Sequence, residues 1–385
     1  MRIVHVAIRF PPATGGGEQV VYNLAKQQVK MGNEVYVVTT DLMKEVPREV
    51  DRSLPKKETM DGINVIRMKT YPTLLPVWGY GSVFFGLKKI INEIKPDIVH
   101  THSYGYFHSD VLARLRRESG WKLVMTSHGF MPGRGIFKPI KEIYTKLIGR
   151  RTVKSLDVAF AVSKRDKKIF EDLGAENVYV VPNGVDLEKF KNLPSRDIFR
   201  EKYSIKGKVI LNVSRLEYDK GLDMLITAVS NLMPKFPDLT LVIVGPDYGE
   251  EKKLRTLVKH LELEKQVIFT GEIKDLPTLL SIYAAADVFV LSTLDEPFGI
   301  VLLEAMACDI PIVATNRGGV PEAIGECGVL IEPNTESIYE GLITILRNKN
   351  KAQMFVEKGK KWRERFDWKN VVSEVLTHYA KLLQN

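Results

Sequence analysis

Cysteine is scarce in this sequence. Cys308 and Cys327 are the only two, and neither stands in a CxxC pattern or beside a histidine. Disulfide-stabilised domains and zinc sites require closely spaced cysteines or clusters of cysteine and histidine. The sequence therefore predicts neither a disulfide framework nor a zinc site, and we interpret both cysteines as small core residues.

Long apolar runs are also missing. No stretch approaches the roughly 20 apolar residues that a membrane-spanning helix needs. The N-terminal residues, MRIVHVAIRF, contain no signal-peptide hydrophobic region and no cleavage site. With 44% hydrophobic and 27% charged residues, the composition is that of an ordinary globular protein. We expect the protein to be cytoplasmic.

The dinucleotide-binding fingerprint is absent as well. Gly15, Gly16 and Gly17 stand between an apolar run and a helical pattern, but the GxGxxG spacing fails because residue 20 is valine. This weakens the hypothesis of a nicotinamide-dependent dehydrogenase. Two interpretations of the glycine run stay open: a structural turn, or a loop whose backbone N–H groups approach a ligand and whose helix N-terminus faces an anion.

Positive charge is what the sequence has in excess. A net charge of +9 and a pI near 9.2 imply an anionic partner, which is a nucleic acid, a membrane surface or a phosphorylated substrate. The cations are spread along the chain without a basic stripe or a recognition motif, so we expect no nucleic acid. Two cationic amphipathic segments, 78–95 with Trp78 and 137–154 with Phe137, are either solvated helix faces or a surface that docks on anionic lipid.

Short apolar runs alternate with helical patterns along the whole chain. At about 150 residues per domain, 385 residues make two or three domains. The alternation predicts an α/β fold with doubly wound, parallel sheets. In the first half, the predicted strands are Ile3–Ile8, Glu34–Thr40, Ile63–Met68, Asp97–His102, Lys122–Thr126 and Val158–Val162. In the second half, they are Val209–Val213, Leu239–Val244, Val267–Thr270, Val288–Leu291 and Pro311–Ala314.

The polar, irregular stretch that follows VPNGVD marks the predicted domain boundary. We predict a Rossmann-like N-terminal domain over residues 1–190 and a Rossmann-like C-terminal domain over 191–366. A final amphipathic helix, with apolar positions at helical spacing, is predicted over 367–385. We expect this helix to pack back onto the first domain.

Two glutamates in the stretch DEPFGIVLLEA are the first candidate site residues. Glu296 and Glu304 are separated by seven residues, which places one carboxylate in a loop and the other about two turns into a helix predicted over Phe298–Ala307, with Pro297 at its start. Carboxylates accept hydrogen bonds from vicinal hydroxyls, so the pair suits a ligand with two polyol parts, such as a nucleotide sugar. The alternative is that Glu304 is a solvated helix residue, although its apolar neighbours indicate a buried helix in which a carboxylate needs a partner.

Cations and histidines stand at other predicted strand ends, where parallel sheets bind ligands. In SRLEYDKG, Arg215 and Lys220 flank a strand-to-helix turn and are either surface cations or a pair that neutralises a diphosphate without a metal. His100 and His102, at the end of the predicted strand Asp97–His102, are interpreted as ordinary polar residues. His128 is the stronger candidate, because the following glycine lets the backbone approach a substrate.

With these residues collected, the chain resembles the retaining glycosyltransferases of family 4, which have the GT-B architecture. The motifs SRLEYDKG, FTGEI, DEPFGIVLLEA and GGVPE occur in the family's order and spacing, and GGGE, HG and VPNGVD agree with them. The resemblance implies two Rossmann-like domains that face an interdomain cleft, with the acceptor bound by the first domain and the nucleotide sugar by the second. Pro297 and Asp309 depart from residues common in the family, Asp309 where glycine is frequent, and Asp tolerates unusual backbone angles.

The resemblance also implies a role for each candidate residue. Arg215 and Lys220 would hold the donor diphosphate, and Glu304 the ribose hydroxyls. Glu296 would contact the sugar hydroxyls together with the backbone amides of two residues, Phe298 and Gly299. The remaining roles fall to Gly16 and Gly17 at the cleft, to His128 near the transferred sugar, and to Gly271, Glu272 and Ile273 near the base.

On this resemblance, the protein is expected to move a hexose from a UDP- or GDP-linked donor to an acceptor hydroxyl on a sugar or a lipid. No cofactor and no essential metal are expected, and an anionic membrane surface is a hypothetical partner. Arg215 and Lys220 would stabilise the departing nucleoside diphosphate. Retention then follows either from same-face attack, which we favour, or from a double displacement with Glu296 as nucleophile. The rival hypotheses are a nucleotide-sugar epimerase of the same architecture and a basic nucleic-acid-binding protein.

Overall fold

The computed structural model describes residues 1–73, 81–117, 119–130 and 138–384. It divides the chain into two compact units. The first contains residues 1–184 together with 368–385, and the second contains 185–367. The sequence places the first boundary a little later, after residue 190.

The first unit is built on a sheet of eight strands within the described residues. The strand order is β12-β11-β10-β9-β1-β2-β6-β5, and all neighbours pair in parallel except β5 and β6, so the edge strand β5 is an antiparallel addition that the alternation did not predict. Two short hairpins, β3–β4 and β7–β8, lie outside this sheet. The strands are β1 Arg2–Val6, β2 Glu34–Thr40, β3 Leu42–Lys44, β4 Glu49–Val50, β5 Lys57–Met60, β6 Ile63–Met68, β7 Tyr71–Pro72, β8 Ser82–Val83, β9 Ile98–His102, β10 Lys122–Thr126, β11 Val158–Ala161 and β12 Val178–Val180.

Helices connect these strands, as right-handed crossovers between parallel strands require. They are α1 Gly16–Lys30, α2 Leu87–Ile94, α3 Phe107–Arg116, α4 Lys138–Tyr144, α5 Arg150–Lys154 and α6 Lys164–Leu173. A single π-helical turn, Thr145–Gly149, joins α4 to α5. One face of the sheet packs aliphatic side chains, and Val4, Val6, Val38, Val99 and Leu123 are fully buried there.

The second unit has a six-stranded parallel sheet of order β15-β14-β13-β16-β17-β18. Its strands are β13 Val209–Val213, β14 Thr240–Val244, β15 Val267–Gly271, β16 Val288–Leu291, β17 Ile312–Thr315 and β18 Gly328–Ile331. Its helices are α7 Asp197–Lys202, α8 Leu222–Leu232, α9 Glu251–His260, α10 Leu276–Ala285, α11 Ile300–Ala307, α12 Val320–Ile324, α13 Thr335–Arg347 and α14 Lys349–Arg363. The strand order reverses between β13 and β16, which is where such sheets form ligand sites.

One helix begins later than the sequence predicts. The predicted span Phe298–Ala307 included Phe298 and Gly299, but α11 begins at Ile300. Gly299 has φ +88°, a left-handed conformation that a helix cannot contain, so the chain enters the helix only after it. Pro297 consequently lies in the preceding loop and not in the first turn. Asp309, just after this helix, does adopt a left-handed φ of +57°.

The two predicted cationic segments are more divided than the sequence suggests. In segment 78–95, Trp78 lies outside the described residues and Phe84 is buried in the core. Of residues 81–95, which the structure describes, only Leu87–Ile94 is helical, so these residues form no continuous amphipathic helix. In segment 137–154, Phe137 also lies outside the described residues, and the rest is helical. Within the described ranges, no helix combines the length and the apolar composition that crossing a bilayer demands.

The last helix, α15, runs over Trp368–Gln384 and belongs to the first unit. It packs against α1 and buries Val371, Val372, Val375 and Tyr379. At its start, Trp368 lies so close to Gly184 that a Cβ at Gly184 would meet the indole at 2.5 Å. This contact joins the start of α15 to Gly184, where the N-terminal part of the first unit ends.

We therefore expect Gly184→Ala to lower the melting temperature by several degrees, because overpacking costs about 1–3 kcal/mol and each 1 kcal/mol corresponds to about 2–4 °C in a domain of this size. Thermal unfolding followed by circular dichroism measures the change. Gly120→Ala is the matched control, since a Cβ there meets no atom within 4 Å. Equal melting temperatures for the two variants would contradict the close packing.

Candidate functional site

An ion pair joins the loops that follow two adjacent strands of the second unit. Lys220 Nζ lies 2.7 Å from Glu296 Oε2, and both side chains are largely buried, with 11% and 16% of their surface exposed. Lys220 follows β13 and Glu296 follows β16, and these strands pair through Ile210 with Val288. Two residues that the sequence singled out separately are thus in direct contact.

Hydrogen bonds hold the two loops together beneath this pair. The hydroxyls of Ser292 and Thr293 donate to the backbone carbonyls of Lys220 and Asp219 over 2.8 and 2.9 Å, and the backbone N–H of Leu294 donates to the same Asp219 carbonyl over 2.7 Å. Gly221 completes the turn with φ +57°, and a Cβ there would lie 2.4 Å from the Ser292 carbonyl oxygen. The turn that carries Lys220 is therefore fixed by contacts to its backbone.

Arg215 stands at the end of the same strand. Its guanidinium lies 4.9 Å from the ring centroid of Tyr248 and contacts Glu217 over 2.9 Å. Behind it, Gly245 allows the close approach of two chain segments, because a Cβ there would lie 1.9 Å from the Ser214 carbonyl oxygen. With 43% of its side chain exposed, Arg215 presents a cation at the edge where Lys220 also lies.

The predicted base-binding residues follow the edge strand β15. Gly271 ends this strand with φ +71°, and its carbonyl accepts a hydrogen bond from the Gly245 backbone N–H over 3.0 Å. Glu272 and Ile273 come next, and the Glu272 carboxylate lies 3.9 Å from Lys274. The three residues thus stand at the carboxyl edge of the sheet that carries Lys220, two strands away from β13.

The loop between Glu296 and α11 contributes backbone and not side-chain groups. Phe298 is 2% exposed and its ring packs on Phe366, with 5.8 Å between centroids. Gly299 is the N-cap of α11 and has no side chain to satisfy the first amides of the helix. The carbonyl of Glu296 accepts from the Gly319 backbone N–H over 2.9 Å, which fixes the loop to the glycine turn after β17.

Glu304 has the partner that a shielded carboxylate needs. Its Oε2 accepts a 2.6 Å hydrogen bond from the hydroxyl of Tyr283, a fully buried residue of α10. Burial raises the pKa of Glu304, and the Tyr283 hydrogen bond opposes that rise. Sequence reasoning missed Tyr283, because an apolar-patterned helix gives no sign of which aromatic carries a polar contact.

In the first unit, Gly16 and Gly17 are the opening residues of α1. A Cβ at the preceding Gly15 would lie 2.2 Å from a carboxylate oxygen of Glu18, so this acid folds back over the helix start. Glu18 also pairs with Arg9 over 2.6 Å. A negative charge of the protein itself therefore stands where the sequence predicted room for an external anion.

His128 is hydrogen bonded within a group of histidines. Its Nε2 lies 3.0 Å from Nδ1 of His102, whose Nε2 lies 3.0 Å from Nδ1 of His5. His100 and His102 belong to β9, in agreement with the predicted strand Asp97–His102, and are 0% and 2% exposed. Burial lowers the pKa of His5 and His128 to about 4 and puts the pKa values of His100 and His102 well below the ordinary range.

Two models of protein families match the chain. The model described as Glycosyltransferase Family 4 matches residues 14–189, and the model described as Glycosyl transferases group 1 matches residues 195–362. Together they account for both structural units and for the candidate residues in each.

Similar proteins extend over the full length. An uncharacterized glycosyltransferase of Methanocaldococcus jannaschii is 30% identical over 98% of each chain. A GDP-mannose:cellobiosyl-diphosphopolyprenol alpha-mannosyltransferase of Xanthomonas campestris is 24% identical over all of this chain and 97% of its own. Among solved structures, a sucrose-phosphate synthase of Thermosynechococcus elongatus superposes with a TM-score of 0.82 at 20% identity, over 100% of this chain and 99% of that one.

The buried histidines predict acid sensitivity. The unfolded chain takes up protons at histidine below about pH 6.5, whereas His5, His108 and His128 stay neutral in the folded state down to about pH 4 because burial lowers each pKa. The free energy of unfolding should therefore be insensitive to these groups above pH 6.5 and fall between pH 6.5 and 4, by about 1.4 kcal/mol per pH unit for each histidine.

Urea unfolding at several pH values measures how the free energy of unfolding depends on pH. His108→Gln should reduce this slope by about 1.4 kcal/mol per pH unit, the contribution of one proton. His260→Gln is the control, because the exposed His260 side chain stays in water in both states. A slope that is unchanged by His108→Gln would show that burial does not hold that imidazole neutral.

Proposed function

The chain belongs to the family 4 glycosyltransferases of the GT-B fold, and from this premise we propose that it is a retaining, metal-independent hexosyltransferase that uses a nucleoside-diphosphate sugar. The family and the fold class confirm the resemblance predicted from the sequence motifs. Transfer of a sugar is the activity of the family. Retention, the independence of metal and the nature of the donor are the proposal.

The observation that carries the proposal is the Lys220–Glu296 contact at the point where the strand order reverses. A diphosphate placed there meets a lysine whose turn is fixed by backbone hydrogen bonds and an arginine at the end of the same strand. Fixed cations aimed at developing negative charge are the largest catalytic contribution in many enzymes. They supply the charge compensation that a divalent ion supplies elsewhere.

The proposed reaction proceeds on one face of the sugar. The bond between the anomeric carbon and the leaving phosphate oxygen breaks, the acceptor oxygen forms the new bond, and the acceptor proton passes to the departing phosphate. We favour this route over a double displacement through Glu296 because the Glu296 carboxylate is engaged by Lys220 at 2.7 Å. A carboxylate that accepts hydrogen bonds, from the ammonium group and then from the sugar hydroxyls that replace it, is a weaker nucleophile than a free one.

For donor and acceptor, we propose a GDP- or UDP-linked hexose and a lipid-linked hydroxyl. The Xanthomonas relative is named for GDP-mannose and a diphosphopolyprenol acceptor. In this chain, the helical segment 138–154 exposes apolar side chains at Ile143 and Leu147, each 58% accessible. The cations Lys146, Arg150 and Arg151 are exposed in the same segment. Exposed apolar side chains among cations are the composition of a surface that binds anionic lipid.

We expect Lys220→Ala to lower the rate of sugar transfer by about 100-fold or more while the fold persists, because a positioned charge opposite the leaving group is lost. A panel of nucleotide sugars, screened by thermal shift, first identifies the donor, since a ligand that binds the folded state raises its stability. Lys358→Ala is the matched control: Lys358 also pairs with a glutamate, Glu326, at 3.1 Å, but lies on the surface. Full activity of Lys220→Ala would overturn the assignment of the phosphate site, and product formed without an acceptor would indicate an epimerase.

Replacing Leu147 by Glu should reduce binding to phosphatidylglycerol vesicles several-fold, because it puts an uncompensated charge on the apolar part of the proposed lipid surface. Co-sedimentation at low and high salt measures the bound fraction. Ile198→Glu is the control, since Ile198 is 56% exposed and lies in the second unit. Binding of the unchanged protein no greater than background would refute the lipid surface and leave the proposed transfer reaction standing.

A further inference from the structure

A continuous line of side-chain hydrogen bonds runs through the core of the first unit and ends at His128. The His5 Nε2 lies 2.7 Å from Gln28 Oε1, His5 Nδ1 lies 3.0 Å from His102 Nε2, and His102 Nδ1 lies 3.0 Å from His128 Nε2. We call these four residues the histidine chain. Gln28 lies on α1, His5 on β1, His102 on β9, and His128 follows β10.

The sheet register produces this alignment. β9 pairs in parallel with β1 on one side and β10 on the other, and His5 stands opposite His100 while His102 stands opposite Thr126. Residues two apart on a strand share a face, so His100 and His102 point to the same side of the sheet. The ring planes of His102 and His128 lie within 12° of parallel, with 5.2 Å between centroids.

Each imidazole in the histidine chain is neutral near pH 7, because burial lowers the pKa of His5, His102 and His128. A neutral imidazole has one N–H donor and one acceptor nitrogen. The Gln28 carbonyl oxygen faces His5, so His5 donates from Nε2 and accepts at Nδ1. His102 must then donate from Nε2 and accept at Nδ1, which leaves His128 to donate from Nε2.

The remaining nitrogen, His128 Nδ1, is therefore an acceptor. It is buried and has no hydrogen-bond partner among the residues that the structure describes. A buried acceptor without a donor costs free energy, and such atoms in native structures call for a specific explanation. The opposite polarity would put a buried N–H without an acceptor at this atom.

We propose that His5 and His102 are positioning residues that hold the proton of His128 on Nε2 and leave Nδ1 to accept a hydrogen bond from a hydroxyl of the sugar substrate. Only the identity of that hydroxyl rests on the proposed function. Gln28 fixes the donor-to-acceptor direction of the histidine chain, because its carbonyl oxygen accepts from His5 at the end opposite His128. No residue of the histidine chain carries charge, so the hydroxyl meets an oriented dipole and not a cation.

A metal ion is the competing occupant of this core. His5, His100 and His102 have ring nitrogens within 4.8 Å of one another. Their nitrogens already have partners, however: His100 contacts Tyr379 over 2.5 Å and Thr126 over 2.7 Å, and His5 contacts His102 and Gln28. Hydrogen bonds thus account for all six nitrogens, because the last, His102 Nδ1, contacts His128.

The experiment reads the tautomers directly. Long-range ¹H–¹⁵N NMR of the full chain, labelled at histidine and without any substrate, should show His128 as the Nε2–H tautomer at pH 7, assigned by its loss in His128→Gln. His102→Leu removes the acceptor of that proton and should produce a mixture of tautomers, whereas His102→Asn, which keeps an acceptor oxygen near Nδ1, should restore a single one. His100→Gln is the matched control, because His100 is equally buried, stacks on His102 at 4.4 Å, and stands outside the chain.

A protonated Nδ1 in the unchanged protein would overturn the proposal, as would a His128 tautomer that His102→Leu leaves as it is. One equivalent of zinc that elemental analysis finds in the protein and that His102→Leu loses would also overturn it in favour of the metal. These measurements need no nucleotide sugar, so their outcome does not depend on whether the proposed transfer reaction is correct. With the donor identified, His102→Leu should lower transfer by about 10- to 100-fold, as for other residues that orient a reacting group, and His102→Asn should recover most of it.

Discussion

The pairing of β13 with β16 is the constraint on which the candidate donor site depends. Parallel strands send all their carboxyl ends to one edge of the sheet, so loops far apart in sequence become neighbours once two strands pair. The register of Ile210 with Val288 and of Leu211 with Phe289 brings the loop of Lys220 to that of Glu296. The hydroxyls of Ser292 and Thr293 in the second loop then donate to the carbonyls of Lys220 and Asp219, which holds the two loops together.

The electrostatics of this pair explain why a glycosyltransferase would keep it. Breaking a buried ion pair by removing one partner costs about 3–5 kcal/mol, yet such pairs are often no better for stability than apolar residues of similar volume. Stability alone is therefore a weak reason for burying Lys220 and Glu296. Their fixed geometry is a stronger one, because charges that are already oriented need no reorganisation when a charged ligand binds.

Much of this arrangement follows from the sequence, and what does not follow has identifiable causes. The bounds of Glu34–Thr40, Ile63–Met68 and Val209–Val213 were predicted because buried strands are short apolar runs between polar residues. The start of α11 was misplaced because composition does not reveal that Gly299 adopts a left-handed φ of +88°. The histidine chain joins residues that are far apart in sequence, so only the sheet register reveals it.

The Lys220–Glu296 ion pair also affects which ligand the candidate donor site binds best. In the second unit, Lys220 and Glu296 satisfy each other, so a ligand that takes the lysine for its phosphates must also give the carboxylate new donors or leave it unpaired in a partly buried place. A nucleoside diphosphate gives only the lysine a new partner. An intact nucleotide sugar gives both side chains new partners, because its hexose hydroxyls can donate to the carboxylate in place of the ammonium group. On the proposed function, the Lys220–Glu296 contact therefore favours the substrate over the nucleotide product.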